Sequence, residues 1–135
     1  MRRYLLDTGI ASDYINRRHG VFERAREEVT RGNRLGIAIP VLAELLYGIE
    51  LSETREKNLQ RLQIALPSLT RWPFNEDAAA EYGRLAAELK RRGRPMQQID
   101  IQIAAIALSL GNCIVVSKDS DLAEMPGLTV EDWAS

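Results

Sequence analysis

The most constraining feature of this sequence is the short run Cys113–Ser117 (CIVVS). It is apolar and β-branched on both faces, which is typical of a strand buried on both sides in a parallel sheet. Weaker apolar runs at Arg3–Leu6, Leu35–Ile39 and Leu128–Val130 predict further strands. Because parallel strands need crossover connections, which are usually helical, we expect helices between these runs.

Helical periodicity fills the segments between the predicted strands. Apolar residues recur every three to four positions, and the spacing predicts six helices, at Thr8–Arg17, Val21–Thr30, Pro40–Leu51, Glu53–Ala65, Asn75–Arg92 and Gln97–Leu110. Ser52 is the predicted N-cap of the fourth helix, and Thr70–Phe74 is predicted to be extended. The alternation indicates one α/β domain over residues 1–135, with a short parallel sheet covered by helices on both faces.

Composition excludes several classes of protein. The 135 residues are 45% hydrophobic and 27% charged with a net charge of −1, so the chain is neither disordered nor globally basic. A lone cysteine, Cys113, and a lone histidine, His19, argue against a disulfide framework and a zinc site. Asp7 and Asp13 interrupt the first apolar residues, which argues against a signal peptide or membrane span. We therefore expect a cytoplasmic protein.

Acidic residues follow two of the predicted strands. Asp7 comes directly after the first strand, and Asp119, with Asp121 close behind, comes two residues after CIVVS. Ligands of open α/β sheets bind outside the carboxyl ends of the strands. Each of these aspartates, taken alone, is explained equally well as the cap of a following helix.

Asp100 is harder to explain structurally. On a helical wheel it lies with Ala104 and Ala107, almost opposite the polar strip, in a helix that is apolar nearly all round and therefore expected to be buried. No lysine or arginine lies within one turn, and a buried unpaired carboxylate is costly. We interpret Asp100 as a site residue. Glu44, one turn after another predicted strand, is either a site residue or a solvated glutamate.

If these acids converge at one sheet edge, their mutual repulsion calls for a divalent cation. An all-oxygen ligand set without histidine or cysteine suits Mg²⁺ or Mn²⁺.

The chain resembles the PIN-domain nucleases, and specifically the VapC-type toxins of bacterial toxin–antitoxin pairs. The resemblance covers essentially the whole chain and depends on the order and spacing of four segments: YLLDTGI at Tyr4–Ile10, IPVLAELLYGIE at Ile39–Glu50, IDIQIAAIAL at Ile99–Leu108, and VVSKDSDL with PGLTVEDW within Val115–Trp133. It implies a Mg²⁺-dependent endoribonuclease that cleaves structured RNA, such as tRNA or rRNA, by attack of metal-activated water and stops translation. An antitoxin partner and a homodimer are implied as well.

The resemblance also assigns site residues. Asp7, Glu44 and Asp100 match the metal-coordinating acids, and the hydroxyls of Thr8 and Ser117 support the ligands. The closing segment offers two further acids, of which Asp119 is the preferred ligand with Asp121 assisting, and the reverse assignment stays open. Two positions depart from the family pattern, since Gly9 replaces the usual asparagine and Leu122 the usual aromatic residue.

Several interpretations stay open. One alternative is a degenerate PIN scaffold that only binds a partner and would not bind metal. Another is a receiver domain, in which Lys118 would be the required lysine; this chain, however, has no aspartate directly after the predicted strand Leu35–Ile39. Basic residues contact either RNA phosphates or solvent; they form two groups, Arg17, Arg18, Arg24, Arg26, Arg31 and Arg34, and Lys90, Arg91, Arg92 and Arg94. His19 is predicted to be an exposed turn residue and Tyr47 a packing residue.

Overall fold

The computed structural model describes residues 1–134. Five strands form one parallel sheet in the order β3-β2-β1-β4-β5. They are β1 Arg3–Leu6, β2 Arg34–Ala38, β3 Thr70–Trp72, β4 Cys113–Val116 and β5 Thr129–Glu131. The predicted α/β class is confirmed, and the strand predicted at Leu128–Val130 lies one residue later.

Seven α-helices connect or follow the strands within the described residues. They are α1 Thr8–Asn16, α2 Val21–Thr30, α3 Ile39–Leu51, α4 Arg55–Ala65, α5 Glu76–Arg91, α6 Gln98–Leu110 and α7 Ser120–Ala123. Leu5 and Leu6, which are neighbours in β1 and so point to opposite faces of the sheet, are both fully buried. Helices therefore cover both faces of the sheet, and α6 contributes six buried residues to the core.

The sheet register determines where the site can form. Because all the strand pairs are parallel, every strand ends at the same edge of the sheet. Leu6 pairs with Val116 in the centre of the sheet, so Asp7 and Ser117, the next residues of each strand, leave it side by side. The amide of Asp7 donates to the carbonyl of Val116 at 3.0 Å. Two chain segments 110 residues apart are thereby brought to one point.

Some predicted boundaries and burials are wrong. Ser52 does not cap α4; it ends α3, where its hydroxyl donates to the carbonyl of Ile49 at 2.8 Å, and Thr54 precedes α4 instead. The helix α7 and a 3₁₀ turn at Leu66–Ser68 were not predicted. Tyr47 was predicted to be a packing residue but is 67% exposed. The apolar side of α3 is thus wider than the surface its neighbours cover.

Candidate active site

Asp7 is built into the junction of β1 and α1. It is the N-cap of α1, where its Oδ1 accepts from the amide of Ile10 at 2.8 Å. The hydroxyl of Ser117 donates to its Oδ2 at 2.5 Å. Burial raises the pKa of Asp7; these two hydrogen bonds oppose the rise, and the charge of Asp119 adds to it. Asp7 is therefore both a helix cap and a member of a charged group.

Ser117 joins Asp7 to the loop that carries the next acids. Its hydroxyl oxygen accepts from the amide of Asp119 at 2.9 Å, and the residue is only 2% exposed. Asp119 in turn caps α7, since its Oδ1 accepts from the amide of Asp121 at 2.8 Å. The carboxylates of Asp119 and Asp121 are exposed at this edge of the sheet.

Glu44 reaches the same edge from α3. Its Oε1 accepts from the hydroxyl of Thr8 at 2.6 Å, which ties the second turn of α3 to the start of α1. The hydroxyls of Thr8 and Ser117, both predicted from the family resemblance to support the acids, thus each donate to a predicted ligand, Glu44 and Asp7.

Asp100 lies in the first turn of α6 and is partly buried. Burial and then the negative charges of Asp119, Asp7, Asp121 and Glu44 raise the pKa of its carboxyl from 3.8 to about 6. A helix N-terminus favours the ionised form, and burial with the four charges outweighs that effect. The helical wheel correctly placed Asp100 in a helix that is mostly buried. Its exposure also depends on its position along the helix axis, because the first turn of α6 lies at the open edge of the sheet.

The five acids are close enough for their charges to act on Asp100, but their carboxylates do not surround a single position. Within residues 1–134, no three carboxylate, histidine or cysteine side chains come together as a metal-binding group in this arrangement. The donor set nevertheless fits a hard divalent cation, because it is made only of carboxylates, and besides burial, neighbouring negative charges help to raise the pKa of Asp7 and of Asp100. Glu44, Asp119 and Asp121 are exposed, so an ion can approach their carboxylates from solvent.

A cavity of about 380 Å³ opens beside the acids, between α1, α3 and α4. Thr8 and Glu44 line one part of it, Ile15 and Leu62 give it apolar surface, and Arg18 is among the residues at its wall. The cavity does not include Asp7, Asp100 or Asp119. It therefore extends the acidic edge rather than containing it.

The structure divides the basic residues that the sequence grouped together. Arg24 and Arg31 form ion pairs with the buried Glu28, at 3.1 and 3.0 Å, and so serve the fold. Arg34 begins β2 and lies at the amino ends of the strands, opposite the acids. Arg17 and Arg18, in the turn after α1, remain exposed.

Sequence reasoning missed a second polar group beside the acids. Asp13, noted only as an interruption of an apolar patch, is buried at 6% exposure and contacts His19 and Lys118. The prediction that His19 is an exposed turn residue is confirmed. The only signal in the sequence was a charged residue within a predicted amphipathic helix, and it did not indicate which residues Asp13 contacts.

Comparison with known proteins agrees with this geometry. The sequence profile of the PIN domain family matches residues 4–128. Ribonuclease VapC2 of Rickettsia felis is 31% identical over 130 residues, covering 96% of this chain and 97% of the relative. The tRNA(fMet)-specific endonuclease VapC of Shigella flexneri is 32% identical over 134 residues, covering 99% and 100%. A chain in the crystal structure of VapBC2 from Rickettsia felis bound to a DNA fragment from their promoter superposes with a TM-score of 0.90 at 29% identity, covering 97% and 98%.

The chain belongs to the PIN domain family and, within it, to the VapC-type toxins, which makes it an endoribonuclease. Nucleases of this family generally use a divalent metal ion, in keeping with the carboxylates at the sheet edge. Among residues 1–134, no helix has both the length and the hydrophobicity needed to span a bilayer.

Proposed function

We propose that this chain is a Mg²⁺-dependent endoribonuclease toxin that hydrolyses phosphodiester bonds of structured RNA and thereby inhibits translation. The observation that carries the proposal is the placement of five carboxylates at one edge of the sheet, where β1 and β4 end side by side and the hydroxyl of Ser117 binds Asp7. Burial and the negative charges of the other four acids accordingly raise the pKa of Asp100. Such crowding favours cation binding, and an all-oxygen donor set favours Mg²⁺, with Mn²⁺ as a substitute.

Each residue of the site has a proposed role. Asp7, Glu44, Asp100 and Asp119 hold the metal, and Asp121 assists. Asp119 is preferred to Asp121 because its charge acts more strongly on Asp100. When bound, a divalent ion activates water and neutralises charge on phosphoryl oxygens. Thr8 and Ser117 orient Glu44 and Asp7 through the hydrogen bonds described above.

A tRNA is the first substrate to test. The relative from Shigella flexneri, similar over nearly the whole chain, is named for specificity toward tRNA(fMet). The acidic edge is open, since three of its carboxylates are exposed, and so admits a folded RNA strand. Ribosomal RNA is the second candidate. Either substrate places the protein in the cytoplasm.

An antitoxin is the proposed protein partner. The Rickettsia felis structure to which this chain is similar is of VapBC2, a name that joins the toxin to its partner. We infer that a segment of the antitoxin lies in the cavity between α1, α3 and α4. A peptide seated there would cover Thr8 and Glu44 and keep RNA away from the acids.

We also infer a homodimer. The helix α3 exposes four large apolar side chains, those of Ile39, Leu46, Tyr47 and Leu51. Contact with a second copy of the chain would remove this apolar surface from water.

A degenerate scaffold that binds a partner without cleaving RNA is the second candidate. It is favoured by one observation, that no three potential ligands within residues 1–134 form a metal-binding group. Under this alternative the acids are helix caps and surface charges. Metal binding separates the two candidates.

The decisive experiment is a cleavage assay on total tRNA and rRNA with Mg²⁺ or Mn²⁺, with EDTA as a control. We expect discrete fragments from the wild type, none from folded Asp100→Asn, and cleavage reduced roughly 10- to 100-fold in Ser117→Ala, because removing a group that supports a ligand typically costs that much. Full activity of well-folded Asp100→Asn would show that the site is misassigned. A folded wild type that neither cleaves nor binds metal by calorimetry would establish the scaffold alternative.

A further inference from the structure

Asp13 holds together two chain segments next to the acidic edge. Its side chain is 8% exposed, and its Oδ2 lies 3.2 Å from Nδ1 of His19 and 3.5 Å from Nζ of Lys118. His19 belongs to the turn between α1 and α2, whereas Lys118 belongs to the loop between β4 and α7. A buried carboxylate shared by two such groups limits the positions that both can adopt.

The turn between α1 and α2 is strained and basic. Arg17 and His19 both have left-handed backbone conformations, with φ of 54° and 57°, which cost energy for residues other than glycine. The amide of Arg18 donates to the carbonyl of Asp13 at 2.8 Å, so the backbone of Asp13 holds this turn while its side chain holds His19 and Lys118. Strain of this kind persists only where the surrounding structure maintains it.

Both basic segments reach the acidic edge. Lys118 lies between Ser117 and Asp119, and its positive charge lowers the pKa of Asp7 against the larger raising effect of burial. Arg18 lines the cavity to which Thr8 and Glu44 also belong. Lys118 is thus adjacent to the carboxylates that form the proposed site, and Arg18 shares a cavity with one of them, Glu44.

A structural role accounts for the ion pair of Lys118 with Asp13, but it leaves the exposed side chain of Arg18 unexplained. The side chain of Lys118 is 50% exposed although its partner is buried. Arg18 is exposed, and within residues 1–134 its guanidinium makes no hydrogen bond or ion pair. Arg24 and Arg31 are tied to the buried Glu28 as Lys118 is tied to Asp13, and among the described residues Arg18 has no such partner. Cations that face solvent beside a strongly acidic edge suit a polyanionic ligand that has to approach that edge.

We propose that Lys118 and Arg18 bind backbone phosphates of the RNA next to the bond that is cut. Asp13 is the positioning residue, through its side chain for Lys118 and through its backbone carbonyl for the turn that carries Arg18. The inference rests on the proposed endoribonuclease function. An RNA strand that approaches five carboxylates is repelled by them, and cations at the same edge offset that repulsion and set the register of the strand. Neither cation enters the chemistry at the scissile phosphorus.

The test is RNA binding without cleavage. Fluorescence anisotropy of labelled total tRNA in EDTA, over about 50 to 300 mM KCl, gives the affinity and its salt dependence. We expect Lys118→Ala and Arg18→Ala each to weaken binding about fivefold at low salt and to reduce the slope of log K against log salt by about one. Lys118→Arg should restore both quantities. The matched control is Arg34→Ala, at the opposite edge of the sheet, which should change neither.

A double-mutant cycle tests the role of Asp13. Asp13→Asn should weaken RNA binding in the wild type but much less in Lys118→Ala, because the two residues act through one contact. With metal present, Lys118→Ala should raise KM more than it lowers kcat, a split that lost fold stability would not produce. Circular dichroism checks the fold of each variant. If Asp13→Asn does not fold, the RNA affinities of the Lys118 and Arg18 variants still test the proposed phosphate contacts.

The outcomes separate this inference from the function on which it rests. Cleavage by the wild type with unchanged affinity and salt slope in both alanine variants would overturn the phosphate contacts alone. Unchanged RNA binding with weaker binding of the coexpressed antitoxin would assign the turn to the protein partner and would also overturn the inference. Absence of cleavage by the folded, metal-loaded wild type would instead count against the proposed function.

Discussion

At the scale of single residues, Asp100 is the acid of the site whose pKa is raised by burial and by the charges of all four others. Its pKa is raised from 3.8 to about 6 by burial and by four other carboxylates, so between these values the folded state binds a proton that the unfolded state has lost. Stability of the metal-free protein should therefore fall as pH rises from about 4 to 6. Because the carboxyl is partly exposed, the loss should be about 1 kcal/mol after solvent screening.

Thermal unfolding of Asp100→Asn in EDTA checks this expectation. At pH 7 the variant should melt about 3–5 °C above the wild type, and the difference should vanish near pH 4. Added Mg²⁺ should stabilise the wild type more than the variant, because ligand binding to the folded state raises stability. Asp77→Asn, which changes an exposed aspartate outside the site, is the control. Parallel pH profiles for wild type and Asp100→Asn would contradict the crowding of charge.

The residues of the candidate site differ in how far the sequence revealed them. Asp7 and Asp119 could be predicted because they follow strands, and parallel strands end at one edge. Asp100 could be predicted because a lone carboxylate interrupts an apolar helix. The contact between Asp13 and Lys118 could not, since it joins residues 105 apart. Periodicity describes neighbours along one element and contains no information about which side chains of distant loops meet.

At the scale of elements, the pairing of β2 with β3 depends on the absence of a side chain at Gly36. A Cβ at this position would overlap the carbonyl oxygen of Thr70 and lie 2.7 Å from Cζ3 of Trp72. Gly36→Ala should therefore destabilise the fold by about 1–3 kcal/mol, as overpacking of a rigid core does. Gly83→Ala is the matched control, because Gly83 lies within α5 with nothing within 4 Å of an added Cβ.

Urea unfolding of the two alanine variants measures the difference. Gly83→Ala should raise the midpoint by an amount equivalent to about 0.5–1 kcal/mol, because alanine favours helix over glycine. Gly36→Ala should lower it with an unchanged m-value. Equal effects of the two substitutions would mean that backbone entropy, and not the approach of β3, governs Gly36.

The elements themselves were predictable where local signals decide them. Strands β1, β2 and β4 are short apolar runs between turn residues, and Asn75 caps α5 as its sequence position suggests, accepting from the amide of Ala78 at 3.0 Å. Ser52 shows the limit of local signals, because serine suits either end of a helix through different hydrogen bonds. Local signals could not predict the order of the strands in the sheet, because that order depends on how the crossover helices pack.

At the scale of the whole molecule, α3 leaves more apolar surface exposed than the rest of the fold uses. Ile39 and Leu46 are seven residues apart and Tyr47 and Leu51 four apart, so each pair shares a face of the helix. Tyr47 is 67% exposed and Leu51 70%. Tyr47 was predicted to be a packing residue, but the neighbours of α3 within residues 1–134 cover only part of this helix, and a second copy of the chain would bury the remainder.

Light scattering with size-exclusion chromatography tests this surface. The wild type should elute as a dimer at micromolar concentration, and Tyr47→Asp and Leu51→Asp should each shift it to the monomer with an unchanged circular dichroism spectrum, because a buried unpaired carboxylate opposes association. Val29→Asp, on the 45% exposed Val29 of α2, is the matched control and should remain a dimer. A wild type that is monomeric, or a control that dissociates equally, would mean that α3 serves another partner. In that case the antitoxin, added to the Tyr47→Asp variant, should bind more weakly than to the wild type.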